Sequence, residues 1–453
     1  MTFSALDSAL TGPLLASDAM RDCFSDEARL RAMLTAEAAL ARAQASLGRA
    51  LPTLAEAVEA IAPATLDMAA IGRQTAQAGV PTIPFVQAVQ THLPPGLERD
   101  LHKGATTQDI LDTALVLQSR DALALIAAEL AAILDGLSNL AWRYRDTPCV
   151  GRTYNQHAAP LTFGAKAAVW LAGVAETAER LPEVRDRLLV ASLGGPVGTL
   201  TGGALGPEVL EAFALELGLG TTPIAWHVRR ARIAEAGCWL AQVIGALAKM
   251  ATDIASLSET EVGEVAEPYE PGRGGSSSMP HKRNPVSCTV ILAAHAIAPG
   301  LAATLLGAMA AAHERPVGLW HAEWHALPPL FGLASGALRE ALVLAERLEV
   351  NPARMRANLD ATNGLLFADA AAALLTPKLG REVAHELVED AAAEVRVRGE
   401  YLRAVLERHP AISKSGVDIG PAFDLAPAIA AAGPWVDRAL QEAARVRHRL
   451  QQG

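Results

Sequence analysis

Apolar residues recur at spacings of three and four positions along most of this chain, which is the pattern of amphipathic α-helices. The longest periodic runs lie in the middle of the sequence. They predict long helices over residues 110–144, from about 161 onwards, and over 230–261, 286–312 and 326–348. Helices of this length are typical of bundles. We therefore predict an all-α protein with a long central helix bundle.

Prolines divide the chain into three regions, because proline ends helices or interrupts them. Shorter helices are expected before residue 106, where the interruptions are Pro52, Pro63, Pro81, Pro84, Pro94 and Pro95. Further prolines, Pro352 and Pro377, punctuate a final region of short helices. The predicted regions are 1–105, 106–349 and 350–453, all of them helical.

The composition agrees with a large helical core. Hydrophobic residues make up 51% of the chain and aromatic residues only 4%, so the interior is mostly alanine and leucine. A formal net charge of −10 argues against nucleic acid as the main partner, because phosphate backbones are bound by surplus Lys and Arg. A local basic pocket for a small anionic substrate remains compatible with this charge.

Cysteine usage and the amino terminus indicate a reducing compartment. The cysteines form no CxxC pair and lie far apart, so we expect buried free thiols. They are Cys23, Cys149, Cys238 and Cys288. The first fifteen residues lack the basic stretch and apolar run of a signal peptide. We expect a cytoplasmic protein.

The apolar segment 289–312 is long enough to span a membrane. It follows a charged loop, is rich in alanine, carries His295 and has Pro299-Gly300 at its middle. A helix that is apolar all round is also found buried inside large soluble assemblies. We interpret the segment in this second way and expect no membrane partner.

The segment 274–285 reads GGSSSMPHKRNP and combines glycines, hydroxyls, cations and a helix start. The glycine pair permits backbone conformations that are closed to other residues, so the serines lie on a loop that can move. Asn284 before proline is typical of a helix N-cap, and Lys282 and Arg283 add positive charge. The pattern predicts a loop that binds carboxylates and favours the ionised form of a hydroxyl.

The spacing within this segment resembles the signature loop of the fumarase/aspartase superfamily. The matching residues are Gly275, Ser276, Met279, Lys282 and Asn284. In that superfamily the second serine before the Met-Pro pair is the catalytic proton acceptor. The resemblance therefore implies that Ser277 is the catalytic residue and that Ser276, Lys282 and Asn284 bind substrate.

A second segment, HKGATTQDILDT from His102, resembles another signature region of the superfamily. A helix N-terminus with two adjacent threonines presents several hydrogen-bond donors to one anion. By itself the segment is also typical of an ordinary capping box. The resemblance implies that Thr106 and Thr107 hold a substrate carboxylate, with His102 beside them.

Residues 151–164, GRTYNQHAAPLTFG, resemble a third signature region, in which related lyases usually carry histidine directly after the threonine. Here that position is Tyr154. Such a histidine is associated with protonating a poor leaving group, whereas a carboxylate, with a solution pKa of about 4, needs no such acid. The departure favours a reaction whose attacking or departing group is a carboxylate. The resemblance implies that His157 contacts substrate, but a purely structural role for this histidine is equally compatible with the sequence.

Three further motifs carry weaker signals. The segment AWHVRRA around Arg230 resembles a motif in which aspartate follows the arginine, but alanine follows here. We expect Arg230 either to bind an anion or to begin a solvated helix. His321 and His325 lack the glutamate placement of zinc proteases, so no metal is expected. The glycine-rich segment 193–206 fits no nucleotide loop, so no cofactor is expected, and it leaves room for short hairpin strands near 197–204.

Across the whole chain the resemblance is strongest to the cycloisomerases of the superfamily. It implies a cofactor-independent enzyme that adds one carboxylate of a tricarboxylate diene to a double bond, forming a γ-lactone in protocatechuate breakdown by the β-ketoadipate pathway. It also implies a homotetramer whose active sites are shared between subunits. Two alternatives remain open: an amine-eliminating lyase similar to adenylosuccinate lyase, and a non-catalytic protein similar to the crystallins of this superfamily.

Overall fold

The computed structural model describes residues 3–200, 206–275 and 278–452, and most of that length is helical. Ser276 and Ser277 lie outside the described residues. The helices before the central bundle are α1 Gly12–Leu15, α2 Asp18–Cys23, α3 Asp26–Ser46, α4 Pro52–Glu59, α5 Met68–Ala78 and α6 Thr82–Gln90. The predicted all-α class is confirmed.

The central region holds the longest helices. They and the shorter ones between them are α7 Thr107–Arg143, α8 Phe163–Ala178, α9 Leu181–Leu188, α10 Pro207–Leu217, α11 Ala231–Leu257, α12 Val286–Ala308, α13 Leu319–Glu323 and α14 Leu327–Arg347. The five long helices that the periodicity predicts are all present. The pattern overestimates the length of α12, which continues through Pro299 but ends at Ala308.

The C-terminal region consists of shorter helices and one long final helix. These are α15 Pro352–Asp360, α16 Ala368–Leu379, α17 Arg381–Arg398, α18 Leu402–Glu407, α19 Pro410–Ser415 and α20 Ala426–Gln452. Single 3₁₀ turns occur at Pro63–Thr65, Leu365–Phe367 and Gly420–Phe423. Four short strands are described: β1 Pro148–Thr153, β2 Gln156–Thr162, β3 Val265–Ala266 and β4 Glu349–Val350.

Three hydrophobic clusters hold the described elements together, the smallest of them around Leu359 and Phe367. The main core lies between the long helices, where Ile126, Leu247 and Leu330 are fully buried. Helix α20 returns to this core and packs on α7 and α8, burying Val436 completely. A separate core between α16, α17, α18 and α19 includes Leu375. All four cysteines are free, as predicted, although only two of them are fully buried.

Several of the central helices carry more apolar residues than the core of a single chain buries. Within the described residues, four helical stretches are long and apolar enough to cross a membrane by length and composition alone: Thr107–Arg143, Ala231–Leu257, Val286–Ala308 and Leu319–Arg347. In the last, 72% of the most apolar part is buried, but in α12 only 33% is. Ile297 and Leu306 on α12 are about half exposed. A single chain therefore leaves an apolar face of α12 uncovered.

Strands β1 and β2 form an antiparallel hairpin that the sequence pattern does not predict. Its two-residue turn consists of Tyr154 and Asn155, with φ of 49° and 60°. Two successive left-handed residues are the hallmark of the tight turn whose twist matches a hairpin. The strands considered near 197–204 do not form over residues 197–200, and residues 201–204 lie outside the described part of the chain.

Candidate active site

The start of α7 confirms the predicted helix N-terminus. Thr106 occupies the N-cap position, its backbone N–H donates to Asp109 Oδ2 at 2.9 Å, and its carbonyl accepts from the Asp109 N–H at 3.0 Å. Thr106 Oγ1 accepts a hydrogen bond from Arg315 Nη2 at 2.9 Å. A guanidinium therefore lies beside the threonine pair, where it adds positive charge to the helix N-terminus.

Asp109 organises the backbone around this helix start instead of facing an open site. Its buried carboxylate accepts from the N–H groups of Gly194 (2.8 Å) and Gly195 (2.9 Å) and lies 2.6 Å from His227 Nε2. A Cβ on Gly194 would lie 2.6 Å from the Cβ of Ala225, so this close approach requires glycine. The glycine-rich segment thus packs against α7.

His102 and Thr107 line one cavity of about 210 Å³, together with Thr82, Ile83, Val86 and Gln87. His102 Nδ1 lies 2.6 Å from Oε1 of the buried Glu37. Burial lowers the pKa of His102, but the charge of Glu37 and its hydrogen bond outweigh this effect and raise the pKa above its usual value. Two of the predicted site residues, His102 and Thr107, thereby line the same cavity.

Arg230 does not face this cavity, which corrects both expectations for it. The side chain is only 2% exposed and is shared between two buried carboxylates. Nη1 and Nη2 donate to Asp112 at 2.7 and 3.1 Å, and Nε donates to Glu323 at 2.9 Å. Because two partners from α7 and α13 occupy the guanidinium, Arg230 cross-links the bundle and does not bind substrate.

The histidine-rich motif around Glu323 is likewise structural. Glu323 pairs with Arg230, and His321 Nε2 lies 3.1 Å from the carbonyl of Gly79. In the part of the chain that the structure describes, no group of three His, Cys, Asp or Glu side chains is arranged to hold a metal ion.

The hairpin carries Tyr154 and His157. Tyr154 lies at the tip and is fully exposed. His157 is half-buried, and burial together with the positive charge of Arg152 lowers its pKa. Arg152 forms an ion pair of 2.6 Å with the buried Glu264, which also accepts from Asn358 Nδ2 at 2.8 Å. These contacts attach the hairpin, close to its exposed tip, to Glu264 and to α15.

The signature loop closes on itself at its base. The Asn284 N–H donates to the carbonyl of Gly274 at 2.8 Å, and a Cβ on Gly274, whose φ is 66°, would lie 2.5 Å from the Asn284 carbonyl oxygen. Arg283 makes a two-point ion pair with Glu349, at 2.9 and 3.0 Å. Arg283 is therefore neutralised by Glu349, while Lys282 and Asn284 are exposed.

The N-terminus of α12 differs from the prediction. Helix α12 begins at Val286, and Asn284 does not cap it. Instead, Glu267 accepts from the backbone N–H groups of Ser287 (3.0 Å) and Cys288 (2.9 Å). A negative charge is favourable at a helix N-terminus, and Glu267 already occupies these two backbone donors. The Asn284 side chain therefore does not cap α12.

Two residues of this region, Arg315 and Glu37, belong to no sequence motif and are not among the predicted site residues. Arg315 lies in the connection before α13, where helical periodicity gives no information. Glu37 does leave a signal: it falls on the same face of α3 as Met33 and Leu40, four positions after the one and three before the other. An acid on the apolar face of a helix needs a buried partner, which here is His102.

Two families match this chain. The family described as Lyase matches residues 14–300, and the one described as Adenylosuccinate lyase C-terminus matches residues 364–439. The chain belongs to the lyase family of the fumarase/aspartase superfamily. It is therefore an enzyme, in a superfamily that acts on small carboxylate substrates and is typically oligomeric.

Individual relatives are similar over nearly the whole chain. The 3-carboxy-cis,cis-muconate cycloisomerase of Pseudomonas aeruginosa is 46% identical, over 93% of this chain and 94% of that protein. The nitrosuccinate lyase of Streptomyces davaonensis is 42% identical, over 96% and 95%. The crystal structure of the 3-carboxy-cis,cis-muconate lactonizing enzyme from Pseudomonas putida superposes with a TM-score of 0.92 at 45% identity, covering 97% of this chain and all of that one.

Proposed function

We propose that this protein is a 3-carboxy-cis,cis-muconate cycloisomerase. It would convert a tricarboxylate diene into 4-carboxymuconolactone, a γ-lactone, in protocatechuate degradation. The observation that carries the proposal is the identity of 46% over 93% of the chain to a cycloisomerase of that name. Tyr154 supports it independently, because no acid is needed at that position when the reacting group is a carboxylate.

The reaction is an intramolecular addition. One carboxylate oxygen forms a bond to a carbon of the diene, the π electrons move to the neighbouring carbon, and that carbon takes a proton from the Ser277 hydroxyl. Solvent then returns a proton to the serine. In the reverse direction Ser277 removes the proton, and its alkoxide needs stabilising N–H groups and cations. Ser276, its neighbour in the sequence, would contact the substrate.

The other predicted residues hold the carboxylates. Thr106 and Thr107 would bind one at the N-terminus of α7, with the imidazolium of His102 on the wall of the same cavity. Lys282 and Asn284 would bind another from the base of the loop. Both side chains are exposed in the single chain and so are accessible to a ligand.

We further propose a cytoplasmic homotetramer in which three subunits complete each active site. The half-exposed apolar face of α12 needs a cover, since large exposed apolar patches mark association sites. The fully exposed tip of the hairpin carries Tyr154 away from its own subunit. A neighbouring subunit is the partner that satisfies both features.

The test is an ultraviolet assay with 3-carboxy-cis,cis-muconate, in which loss of the conjugated diene reports ring closure. Ser277→Ala should keep its oligomeric state and lose activity by at least about a hundredfold, the usual contribution of a general acid. Ser278→Ala, one residue further on, is the matched control and should keep most of its turnover. Loss of activity in the Ser278 variant alone would show that Ser278, and not Ser277, transfers the proton.

An eliminating lyase is the second candidate, supported by the 42% identity to nitrosuccinate lyase over 96% of the chain. Such an enzyme, whether it releases nitrite or an amine as adenylosuccinate lyase does, would form an unsaturated dicarboxylate. Parallel assays with nitrosuccinate, adenylosuccinate and the muconate decide between the candidates. Absence of turnover on all three would contradict both candidate activities.

A further inference from the structure

Helix α3 carries two buried polar side chains on its apolar face, Glu37 and Gln44, both about 1% exposed. They are seven positions apart and so lie on one side of the helix. Both reach the short segment that precedes α7. Glu37 Oε1 lies 2.6 Å from His102 Nδ1, and Gln44 Nε2 donates to the carbonyl of Lys103 at 2.7 Å.

His102 is held in an uncommon conformation by these contacts. Its φ is 60°, in the left-handed region that residues other than glycine seldom adopt. Such backbone strain persists only where the surroundings impose it, and it concentrates at functional sites. Here Glu37 and Gln44, the two buried side chains of α3, impose the conformation, and they thereby fix the position of the imidazole.

The hydrogen bond fixes which ring nitrogen is available to a ligand. A carboxylate only accepts, so Nδ1 donates its proton to Glu37, and Nε2 remains for the cavity that His102 lines with Thr107. Neutral imidazole would present a lone pair at Nε2, and a lone pair repels a carboxylate. Imidazolium presents an N–H and a positive charge. The charge state of His102 therefore decides whether the cavity binds or rejects an anion.

The charged groups around His102 favour the cation. Glu37 is the direct partner, and the carboxylate of Asp109 on α7 adds to its effect. The adjacent Lys103 is paired with Asp100 at 3.1 Å, which offsets its repulsion. Glu37 Oε2 is buried without a hydrogen-bond partner, so this carboxylate depends on His102 for its compensation.

We propose that Glu37 is a positioning residue that keeps His102 cationic and turns its Nε2–H into the cavity, where it binds a substrate carboxylate. The identity of that carboxylate rests on the proposed function. The raised pKa of His102 agrees with this role. Glu37 acts only through His102 and does not itself touch the substrate.

The experiment compares the pH dependence of KM for wild type and Glu37→Gln, which keeps the shape of the side chain and removes its charge. In the variant the pKa of His102 should fall, because the negative charge of Glu37 no longer offsets the effect of burial. At about pH 7.5 we expect KM to rise about tenfold, the worth of one charge-assisted hydrogen bond, with kcat changed less than threefold. As the pH is lowered, the KM values of the two enzymes should approach each other, since His102 becomes protonated in both.

Glu27→Gln is the matched control. Glu27 lies on the same helix and pairs with Arg31 at 2.7 Å, but 55% of its side chain is exposed. It should leave the pH dependence of KM unchanged. A Glu37→Gln enzyme that is folded and follows the wild-type pH profile would overturn the proposal.

A second measurement does not depend on turnover or on the stability of the variant. NMR titration of isotopically labelled histidines in the wild-type enzyme, assigned by difference with His102→Gln, should give His102 a pKa above that of free histidine. A value at or below that of free histidine contradicts the proposal. If no lactone forms, the proposed function fails, and calorimetric binding of tricarballylate across the same pH range still decides the role of Glu37.

Discussion

Arg230 and Glu323 form a two-point ion pair inside the helix bundle, with Nε to Oε1 at 2.9 Å and Nη2 to Oε2 at 2.5 Å. Asp112 occupies the other edge of the same guanidinium, and the ring centre of Trp226 lies 4.8 Å from the guanidinium carbon. One cation thus serves two buried carboxylates that come from α7 and α13. Loss of that cation leaves both carboxylates uncompensated.

Arg230→Met should therefore lower the free energy of unfolding by about 3–5 kcal/mol, the usual cost of removing one partner from a buried ion pair. Arg187→Met provides the comparison, because Arg187 pairs with Glu235 at 2.6 Å on the surface. That exposed pair should be worth less than about 1 kcal/mol. Denaturant unfolding at fixed protein concentration measures both. Equal losses in the two variants would argue against the cross-linking role of Arg230.

Glu129 on α7 should make stability depend on pH. One of its carboxylate oxygens is buried without a hydrogen-bond partner, and burial raises its pKa to about 7, although Arg339 opposes the shift. The folded protein then keeps the proton that the unfolded chain loses near pH 4.5, so this glutamate destabilises the fold increasingly as pH rises from about 4.5 to about 7.

Glu129→Gln should raise the free energy of unfolding by about 1–3 kcal/mol at pH 8 and change it little at pH 4. Thermal unfolding at the two pH values tests this difference. Glu56→Gln, at an exposed position, is the control and should show no such contrast. A stabilisation of equal size at both pH values would mean that packing, not ionisation, is responsible.

Glu267 should be needed at the N-terminus of α12. Glu267→Ala leaves the N–H groups of Ser287 and Cys288 without their carboxylate and should cost about 1–2 kcal/mol, as the loss of a helix cap does. Glu267→Gln keeps one acceptor oxygen and should cost less. Unfolding of the two variants side by side gives the order. The kcat/KM of the alanine variant should also fall, because α12 begins directly after the signature loop.

Tyr154 should matter for catalysis and not for the fold. Since the side chain is fully exposed, Tyr154→Ala should change the free energy of unfolding by less than about 0.5 kcal/mol. Its kcat/KM should fall at least about tenfold if the hairpin tip completes a neighbour's site. Mixed oligomers of the Tyr154→Ala and Ser277→Ala variants should regain activity, because some sites then receive both native residues. Mixtures as inactive as their parents would indicate sites built within one subunit.

The long helices follow from the sequence because their apolar periodicity extends over many turns, and the start of α7 follows from Thr106 and Asp109. The hairpin does not, because β1 and β2 are each at most seven residues long and their turn lacks the Asn-Gly or Asp-Gly signal. Such short elements contain too few repeats to establish a period.

The errors at the site come from partners that are distant along the chain. Arg230 lacks the expected neighbouring aspartate, but Asp112 and Glu323 lie 118 and 93 positions away and take its place. The sequence around Asn284 is typical of a helix cap, but Glu267 accepts from the N–H groups at the start of α12 instead. A local motif shows which hydrogen-bonding and charged groups a segment contains. Only the folded structure shows which of these groups are already paired.

The turn at Tyr154 and Asn155 also limits how this enzyme can change its chemistry. Both residues have positive φ, a conformation that β-branched side chains resist. Valine, isoleucine and threonine would strain the turn, whereas asparagine, aspartate and histidine adopt this conformation most readily. Position 154 is therefore restricted to a short set of side chains, and exchange of tyrosine for histidine there should need no change in the backbone.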